Sequence, residues 1–325
     1  MGAVTLMITN EKGLGFYPPV VEGITLTSSR RGSPATLKFT VLKDEEMGRL
    51  GGFAEGSAVT LQVGDKLLFY GFIFIKRRDR AGAIECTAYD QIRYLKNKDV
   101  LSYKNMTAAE VVQLIANDKK LKLGNVEPTS YVIPFRSEEN VTLLDMIETA
   151  LDLELSHKGQ MFVLYDDYGA LTLQNIASMR LDILINAAAA ENFDYTSSID
   201  EQTYNQVKLS YANKETGHWE SSIAKDGEHI NQWGLLQYFE FLQEGESGQA
   251  KADALLKLYN SKTRKLKIKN ALGDVRVRAG CLIGVALDLG DIIANTYMLV
   301  ENVCHTFKES EHFMDLTLRG GEFVA

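Results

Sequence analysis

The histidines are the first residues to test for chemistry, because an imidazole can act as a base or bind a metal. Five are present, at positions 157, 218, 229, 305 and 312. His305 and His312 flank the turn over 308–311, so they could face each other across a hairpin. A metal there would need a third ligand such as Glu309 or Glu311, and nothing in the spacing selects one. We therefore expect surface histidines without a metal.

Serine and carboxylate motifs are the next candidates for catalysis. Ser222-Ile-Ala-Lys225 has the SxxK form of some acyl-serine enzymes, but no KTG accompanies it, which favours a loop or edge strand. Asp166-Asp167 is typical of a turn. No GxSxG, HExxH or P-loop occurs, and Gly13-Leu-Gly15 lacks the third glycine of a dinucleotide-binding motif. The sequence predicts no catalytic residues, no metal and no cofactor.

The three cysteines form no recognisable framework. Cys86, Cys281 and Cys304 contain no CxxC pair, so neither a zinc ribbon nor a disulfide scaffold is indicated. This usage is typical of a reducing compartment. Cys281 and Cys304 lie in apolar, strand-like sequence and are expected to be buried.

Charge is distributed unevenly along this acidic chain. Its 35 basic and 43 acidic residues give a net charge of −8, which disfavours a general nucleic-acid surface. Basic residues concentrate after position 261, and the candidate basic face comprises Lys262, Arg264, Lys267, Lys269, Arg276 and Arg278. Alternation about Ile268 and Val277 predicts two strands with one basic face each. Such a face could be a solvated surface or protected edge, or it could meet an acidic partner or nucleic acid. A second cluster over 76–80 is expected in an exposed turn.

The elements that would position these residues fall into three blocks. Residues 1–100 alternate with the period of strands, as in Val59–Val63 and Ile84–Tyr89. Residues 101–190 predict a small α+β domain, with helices beginning at a Thr107 capping box and at Thr142, then a hairpin over 161–173. Residues 191–325 return to strands, with an inserted helix near 247–260. The predicted fold is α+β and mainly β, with two β-domains flanking a small α+β domain.

A short internal echo supports the pairing of the outer blocks. Val59–Asp65 aligns without gaps on Val285–Asp291, with four of seven positions identical. Gly64-Asp65 and Gly290-Asp291 would form tight turns in which glycine takes positive φ, so we interpret them as structural. Chance similarity between two meanders is the alternative.

Several segments resemble the XkdQ/YqbQ family of baseplate hub proteins, found in contractile phage tails, defective prophages and phage-tail-like bacteriocins. The matching segments are Arg31–Val41, Thr87–Asn97, Met161–Asp167, Asn192–Asp200, Thr203–Asn205, Trp233–Gln237, Gly273–Arg278 and Tyr297–Glu301. The resemblance implies two tube-type β-barrel domains per chain. It implies a homotrimer in which six such domains form a pseudo-sixfold ring between the tail tube and the central spike.

The resemblance also implies partners and a location. The tube protein and the spike protein are implied; a LysM-type hub-associated protein, the tape measure protein, the wedge proteins and transient DNA in the lumen are further possibilities. The N-terminal residues lack the basic start and apolar core of a secretory leader. We expect synthesis in the bacterial cytoplasm, assembly into a tail or tail-like particle and no membrane anchor. The alternatives are a tail-associated peptidoglycan hydrolase, which needs a compact active site, and a carbohydrate-binding module. The latter needs clustered exposed aromatics, whereas the Tyr and Phe residues mostly occupy core-type positions.

Overall fold

A computed structural model describes residues 2–42, 52–187, 189, 192–200, 202–212, 217–242, 248–290, 293–308 and 311–320. The fold is mainly β with a few helices, which confirms the predicted fold class. Asp291, Glu309 and Ser247, the last a proposed helix cap, lie outside the described residues.

The first β-unit covers residues 4–89. Its strands are β1 (Val4–Thr9), β2 (Gly15–Phe16), β3 (Ile24–Ser29), β4 (Thr36–Val41), β5 (Ala58–Val63), β6 (Lys66–Arg78) and β7 (Ile84–Tyr89). Every second residue of β5 is buried, as the alternating sequence predicts, because successive strand side chains point to opposite faces. These apolar residues pack with those of β1, β4 and β7 in one core.

The middle unit covers residues 90–179 and carries both predicted helices. Its elements are a 3-10 helix (Gln91–Lys96), β8 (Lys98–Thr107), α1 (Ala108–Asp118), β9 (Leu123–Val126), β10 (Val132–Thr142), α2 (Leu143–Lys158), β11 (Phe162–Asp166), β12 (Leu171–Asn175) and a second 3-10 helix (Ile176–Met179). The Thr107–Glu110 capping box is present, and the Oγ1 of Thr142 accepts from the Asp145 N–H at 3.1 Å. Both helix starts and the β11–β12 hairpin are therefore confirmed.

The second β-unit covers residues 180–320. Its strands are β13 (Arg180–Asn186), β14 (Asn192–Ser198), β18 (Thr263–Leu272), β19 (Leu282–Asp288), β20 (Ile293–Lys308) and β21 (Glu311–Gly320). Because β13 pairs with β19, the sheet of this unit begins at Arg180, ahead of the sequence-based boundary at 190.

An insertion over residues 199–262 interrupts the second β-unit. It contains β15 (Gln206–Ala212), β16 (Trp219–Lys225), α3 (Gly227–Trp233), β17 (Gln237–Phe241) and α4 (Gly248–Tyr259). The three strands form a small sheet in the order β16-β15-β17, and α4 packs on one face of it through Ala252 and Leu255. The predicted helix near 247–260 is α4.

The two β-units share one continuous sheet. The order of its main path is β14-β18-β21-β20-β3-β4-β7-β6-β5-β1-β2, with β19 and β13 branching from β20. The link is antiparallel pairing of β3 with the second half of β20, from Ser29 opposite Asn302 to Ile24 opposite Phe307. The two units are thus joined by main-chain hydrogen bonds across the sheet.

Candidate functional site

The histidine pair is buried, which corrects the expectation of surface histidines. His305 is 5% exposed and His312 is 8% exposed. The Nε2 of His305 lies 2.9 Å from the Val277 carbonyl and must donate to it, so its Nδ1 accepts from the His312 Nε2–H at 2.9 Å. Burial, reinforced by His312, lowers the pKa of His305 to about 4. Two neutral, hydrogen-bonded rings leave no room for an ion between them.

The serine and cysteine candidates do not form a reactive group. Ser222 and Lys225 both lie on β16, three residues apart, so their side chains point to opposite faces of the small sheet. Cys86 and Cys281 are buried, as expected for Cys281, and burial raises the pKa of both thiols. Cys304 is half-buried rather than buried, because it lies on the outer face of β20.

Asp90 and Asp166 form the other buried titratable cluster, at the junction of the three units. They line a cavity of about 320 Å³ together with Arg278 and His305. Burial raises the pKa of both carboxyls, and the neighbouring Asp166 raises that of Asp90 further. Asp90 accepts from the N–H groups of residues 35 and 92, and Asp166 accepts from those of Gly169 and the Gln91 side chain. Their oxygens are engaged in fixing turns, which supports the turn interpretation of Asp166-Asp167.

A second groove is lined in part by internal ion pairs. It has a volume of about 550 Å³ and lies between β3, α2 and the insertion. Arg31 at its rim binds Asp152 through two nitrogens at 2.8 Å and contacts Glu148. These contacts tie the first β-unit to α2.

The candidate basic face is divided by the structure. Lys267 and Lys269 lie on the exposed face of β18, with Lys265 beside them, and Lys262 is exposed just before the strand. Arg264 lies on the opposite, core-side face and is half-buried. The Nζ of Lys269 lies 2.6 Å from Asp315 on the neighbouring strand β21. The exposed lysines alone keep the predicted alternation.

The strand predicted around Val277 is wrong: residues 273–281 form no strand and contain turns at 275–276 and 279–280. The Val277 N–H donates to the Asp274 carbonyl, and the Asp274 carboxylate binds Arg276 at 2.6 Å. Arg278 points elsewhere, with its guanidinium 3.7 Å from the Tyr165 ring centroid and its Nη2 2.8 Å from the Asp166 carbonyl. Arg278 therefore joins the middle unit to the second β-unit.

Both glycines of the sequence echo adopt positive φ, +57° at Gly64 and +93° at Gly290. Gly64 and Asp65 form the two-residue turn between β5 and β6, with the glycine first, as in a type II′ hairpin. Near Gly290, the carboxylate that accepts a backbone N–H is that of Asp288.

A stronger repeat, which sequence reasoning missed, lies in backbone hydrogen bonds. They join the residues just before β5 to β6, and the residues just before β19 to β20. The Ile73 N–H donates to the Ser57 carbonyl at 2.9 Å, and the Gly56 N–H donates to the Ile73 carbonyl at 2.7 Å. The same two bonds join Val300 to residues 281 and 280, at 2.9 and 2.8 Å. Gly56 and Gly280 have matching φ angles of +89° and +95°. These positions are therefore equivalent in the two β-units.

The equivalence extends along both units. Ile73 and Val300, which make these backbone bonds, are the anchor residues of the repeat. A β-bulge follows each of them, at Phe74 opposite β7 and at Glu301 opposite β21. The strand order β3-β4-β7-β6-β5-β1 matches β14-β18-β21-β20-β19-β13, except that β1 is antiparallel to β5 whereas β13 is parallel to β19. Because Ser57 is equivalent to residue 281, Val59 is equivalent to Ile283. The sequence echo instead aligned Val59 with Val285, two residues further on. A two-residue shift leaves each side chain on the same face.

The repeat also explains the buried histidine. In the second β-unit, His305 on β20 donates to the Val277 carbonyl. In the first unit the equivalent carbonyl belongs to Phe53, and Lys76 on β6 donates to it through Nζ at 2.5 Å. In each unit, a side chain of the long strand donates to the equivalent backbone carbonyl. His305 therefore has a structural role.

Three exposed aromatic residues cluster on the outer face of the insertion and are exceptions to the core-type positions expected for most Tyr and Phe residues. Trp219, Phe239 and Phe241 are 63%, 47% and 60% exposed, and Ile223 is exposed on the same face. The Trp219 and Phe241 rings are 5.3 Å apart, and the two Phe rings are 5.1 Å apart. This face is the opposite one to that covered by α4.

Within the described part of the chain, no helix has the length and apolar character needed to cross a bilayer. In the same residues, no group of three or more His, Cys, Asp or Glu side chains is arranged to hold a metal ion.

Two solved structures define the class of fold. The prophage MuSo2 43 kDa tail protein from Shewanella oneidensis superposes over 99% of both chains with a TM-score of 0.69 and 12% sequence identity. The tail protein from Neisseria meningitidis MC58 matches 100% of this chain and 98% of that one, with a TM-score of 0.68 and 11% identity. The chain has the fold of these tail proteins.

The sequence then gives the family. The profile described as YQBQ-like matches residues 24–319, and the chain belongs to that family. The phage-like element PBSX protein XkdQ of Bacillus subtilis (strain 168) is 27% identical over 303 residues, which is 91% of each chain. The resemblance read in the sequence is confirmed.

Proposed function

We propose that this chain is a structural component of a phage-type tail or baseplate and forms its hub. In this proposal, three copies make a ring of six β-units that joins the tail tube to the central spike. The observation that carries it is the internal repeat: two β-units with matched strand order and anchors share one continuous sheet. Two pseudo-equivalent units per chain allow a threefold assembly to present sixfold geometry, and head-to-tail contacts close such a ring.

The three-part organisation remains part of the proposal, with the two boundaries moved from residues 100 and 190 to residues 89 and 179. The first and second β-units form the ring wall. The middle unit and the insertion are then available for the spike, tape measure, LysM-type or wedge partners, and the particle is the site of assembly. The hub role requires no catalytic group or cofactor, and the engaged oxygens of Asp90 and Asp166 agree with a structural role.

The outer face of the shared sheet is proposed to line the passage of the ring. It carries hydroxyl and amide side chains at alternate positions, such as Thr27, Asn302 and Thr317, and ends at the lysines of β18. Replacing Lys265, Lys267 and Lys269 with Gln tests whether this charge acts in passage. DNA delivery by particles with correct tails should fall if the lysines guide a polyanion, and unchanged delivery would remove that role.

The experiment that tests the hub proposal is structure determination of tail particles from the producing strain by cryo-electron microscopy. Three copies between tube and spike, with alternating first and second β-units around the ring, are expected. Six copies along the tube shaft, or absence of the chain from particles, would refute the proposal.

The aromatic face of the insertion favours the carbohydrate-binding alternative, because exposed rings can stack on sugars. Trp219→Ala and Phe241→Ala variants distinguish the two functions. If cell-wall carbohydrate binds to the purified chain and these substitutions abolish binding, the face is a sugar platform. Particle assembly that fails in the same variants would instead identify it as a surface for another tail protein.

A further inference from the structure

The two ends of the shared sheet carry unequal edges. Within the described residues, β14 pairs with β18 alone, whereas its equivalent β3 lies between β4 and β20. At the other end, pairing of β6 with β5 stops at Ala58 opposite Phe72, so the second half of β6 has β7 as its neighbour on one side. The equivalent half of β20 has a neighbour on both sides, β21 and β3.

The register of the repeat follows from one row of residues across each unit. In the first unit, Ile73 lies opposite Ala88, Ala88 opposite Leu37, and Leu37 opposite Leu26. In the second unit, the corresponding row runs from Val300 through Leu318 and Leu266 to Tyr195. Leu26 of β3 is therefore equivalent to Tyr195 of β14.

The sequence supports this register independently. The residues that follow Leu26 are Thr27-Ser28-Ser29, and those that follow Tyr195 are Thr196-Ser197-Ser198. In the first unit this tripeptide forms the seam with the second unit: Ser29 donates to the Asn302 side chain at 2.6 Å, and Thr27 donates to the Cys304 Sγ at 3.3 Å. The same three residues recur on the edge strand β14.

Residues of β14 are more exposed than their equivalents on β3, as expected for a strand that lacks its second neighbour among the described residues. On β3, Ile24 and Leu26 are 5% and 8% exposed because β20 pairs with β3 on the side away from β4. Their equivalents on β14 are Phe193, which is 41% exposed, and Tyr195, which is half-buried. An aromatic ring on a strand that has one paired neighbour within the described residues is a surface that further main-chain pairing would cover.

We propose that β14 of one copy pairs antiparallel with the second half of β6 of the next copy, in the register that β3 adopts on β20. Within the chain, Leu26 lies opposite His305. Tyr195 is the equivalent of Leu26, and Arg78 is the equivalent of His305 because each lies five residues after its anchor. The proposed pairing therefore places Tyr195 opposite Arg78 of the next copy. Thr196 then lies opposite Arg77 and Ser198 opposite Ile75. This inference rests on the hub proposal for the number of copies that closes the ring.

The side chains of the two seams differ at one defined position. Within the chain, Arg30 binds Glu301 at the bulge, through the backbone at 2.9 Å and the Nε at 2.8 Å. In the proposed contact, the equivalents are Ile199 and Phe74, which form an apolar pair. An ion pair therefore marks the seam inside the chain, and an apolar pair marks the seam between copies.

Disulfide cross-linking of the full chain tests the register. Arg77→Cys with Thr196→Cys, in a Cys304→Ser background, should give covalent dimers and closed trimers on oxidation, since directly opposite strand residues are within disulfide reach. Arg77→Cys with Tyr195→Cys is the matched control, because Tyr195 points to the other face. We expect at least about tenfold less covalent product from the control pair. Thr27→Cys alone, facing the natural Cys304 across the internal seam, should form an intramolecular bridge and validates the geometry.

The reaction is performed on concentrated protein and on tail particles. Absence of the Arg77–Thr196 cross-link from both samples, or an equal yield from the control pair, overturns the proposed register. A three-copy ring in particles without this cross-link would overturn the register and leave the hub function standing. A closed covalent trimer from a chain that is absent from particles would support the edge contact and refute the hub function.

Discussion

Acidification should destabilise the chain through His305, and the size of the effect can be worked out from the buried histidine pair. An unfolded histidine has a pKa near 6.5, whereas burial lowers the pKa of His305 to about 4 in the folded chain. Between these values the unfolded state binds a proton that the folded state does not. The stability contributed by neutral His305 is thus present above pH 6.5 and is lost as the pH falls to about 4. The loss is about 3 kcal/mol over this range.

Asp90 and Asp166 change the stability with pH in the opposite direction, so their effect must be separated from that of His305. The pKa values of Asp90 and Asp166 are raised by burial, so their contribution is greatest at low pH and is lost as the pH rises. The pH profile of the natural chain therefore combines opposing slopes. Comparison with His305→Gln isolates the histidine, because an amide N–H can still donate to the Val277 carbonyl but does not titrate.

The assay is urea unfolding of the natural chain and the His305→Gln variant between pH 7 and pH 4. The difference in unfolding free energy should shift by about 3 kcal/mol in favour of the variant on acidification. His218→Gln, at an exposed position, is the control and should follow the natural chain. A difference for His305→Gln that stays constant within about 0.5 kcal/mol, the usual additivity error, would refute the lowered pKa and neutral state of the buried His305.

Three further substitutions test the packing of the units. Glu154→Ala should lower unfolding free energy by about 2–4 kcal/mol, because this buried carboxylate accepts three N–H and hydroxyl groups before β10; a loss below 1 kcal/mol would contradict it. Gly280→Ala should cost about 2–3 kcal/mol, since its Cβ would lie 2.7 Å from Val163, whereas Gly56→Ala should cost about 1 kcal/mol for φ alone; equal losses would refute the comparison. Arg278→Ala should raise hydrogen exchange at the β11–β12 turn severalfold, and unchanged exchange would argue against its joining role.

Local structure could be predicted from the sequence wherever neighbouring residues determine it. Thr107 and Thr142 start helices because their hydroxyls satisfy N–H groups three residues on. Arg-Val-Arg around Val277 alternates as a strand would and so predicts one wrongly, because Asp274 and Gly280 impose turns through hydrogen bonds and positive φ.

The candidate surfaces were harder to predict because they depend on distant pairing. His305 and His312 are close in sequence, but their burial depends on the turn at Val277 lying against β20. The repeat is carried by backbone hydrogen bonds at Gly56 and Gly280 rather than by side-chain identity. The repeated Thr-Ser-Ser on β3 and β14 was the available signal, and a three-residue match becomes meaningful when strand register links it to equivalent rows.

The second half of β6 carries basic side chains, as expected for a strand edge that must not aggregate before it is paired. β20 presents Val303, His305 and Phe307 on its core side, and these residues are buried from the moment the chain folds. At the equivalent positions, β6 and the turn that follows carry Lys76, Arg78 and a further arginine. Lys76 donates to the Phe53 carbonyl, whereas Arg78 is exposed. A basic side chain on an exposed edge discourages indiscriminate strand pairing. In the proposed register Arg78 and the arginine of the turn lie opposite Tyr195 and Phe193 of the next copy, whose ring faces favour cations. The same residues can therefore oppose random aggregation and admit the one edge that carries aromatic partners in matching positions.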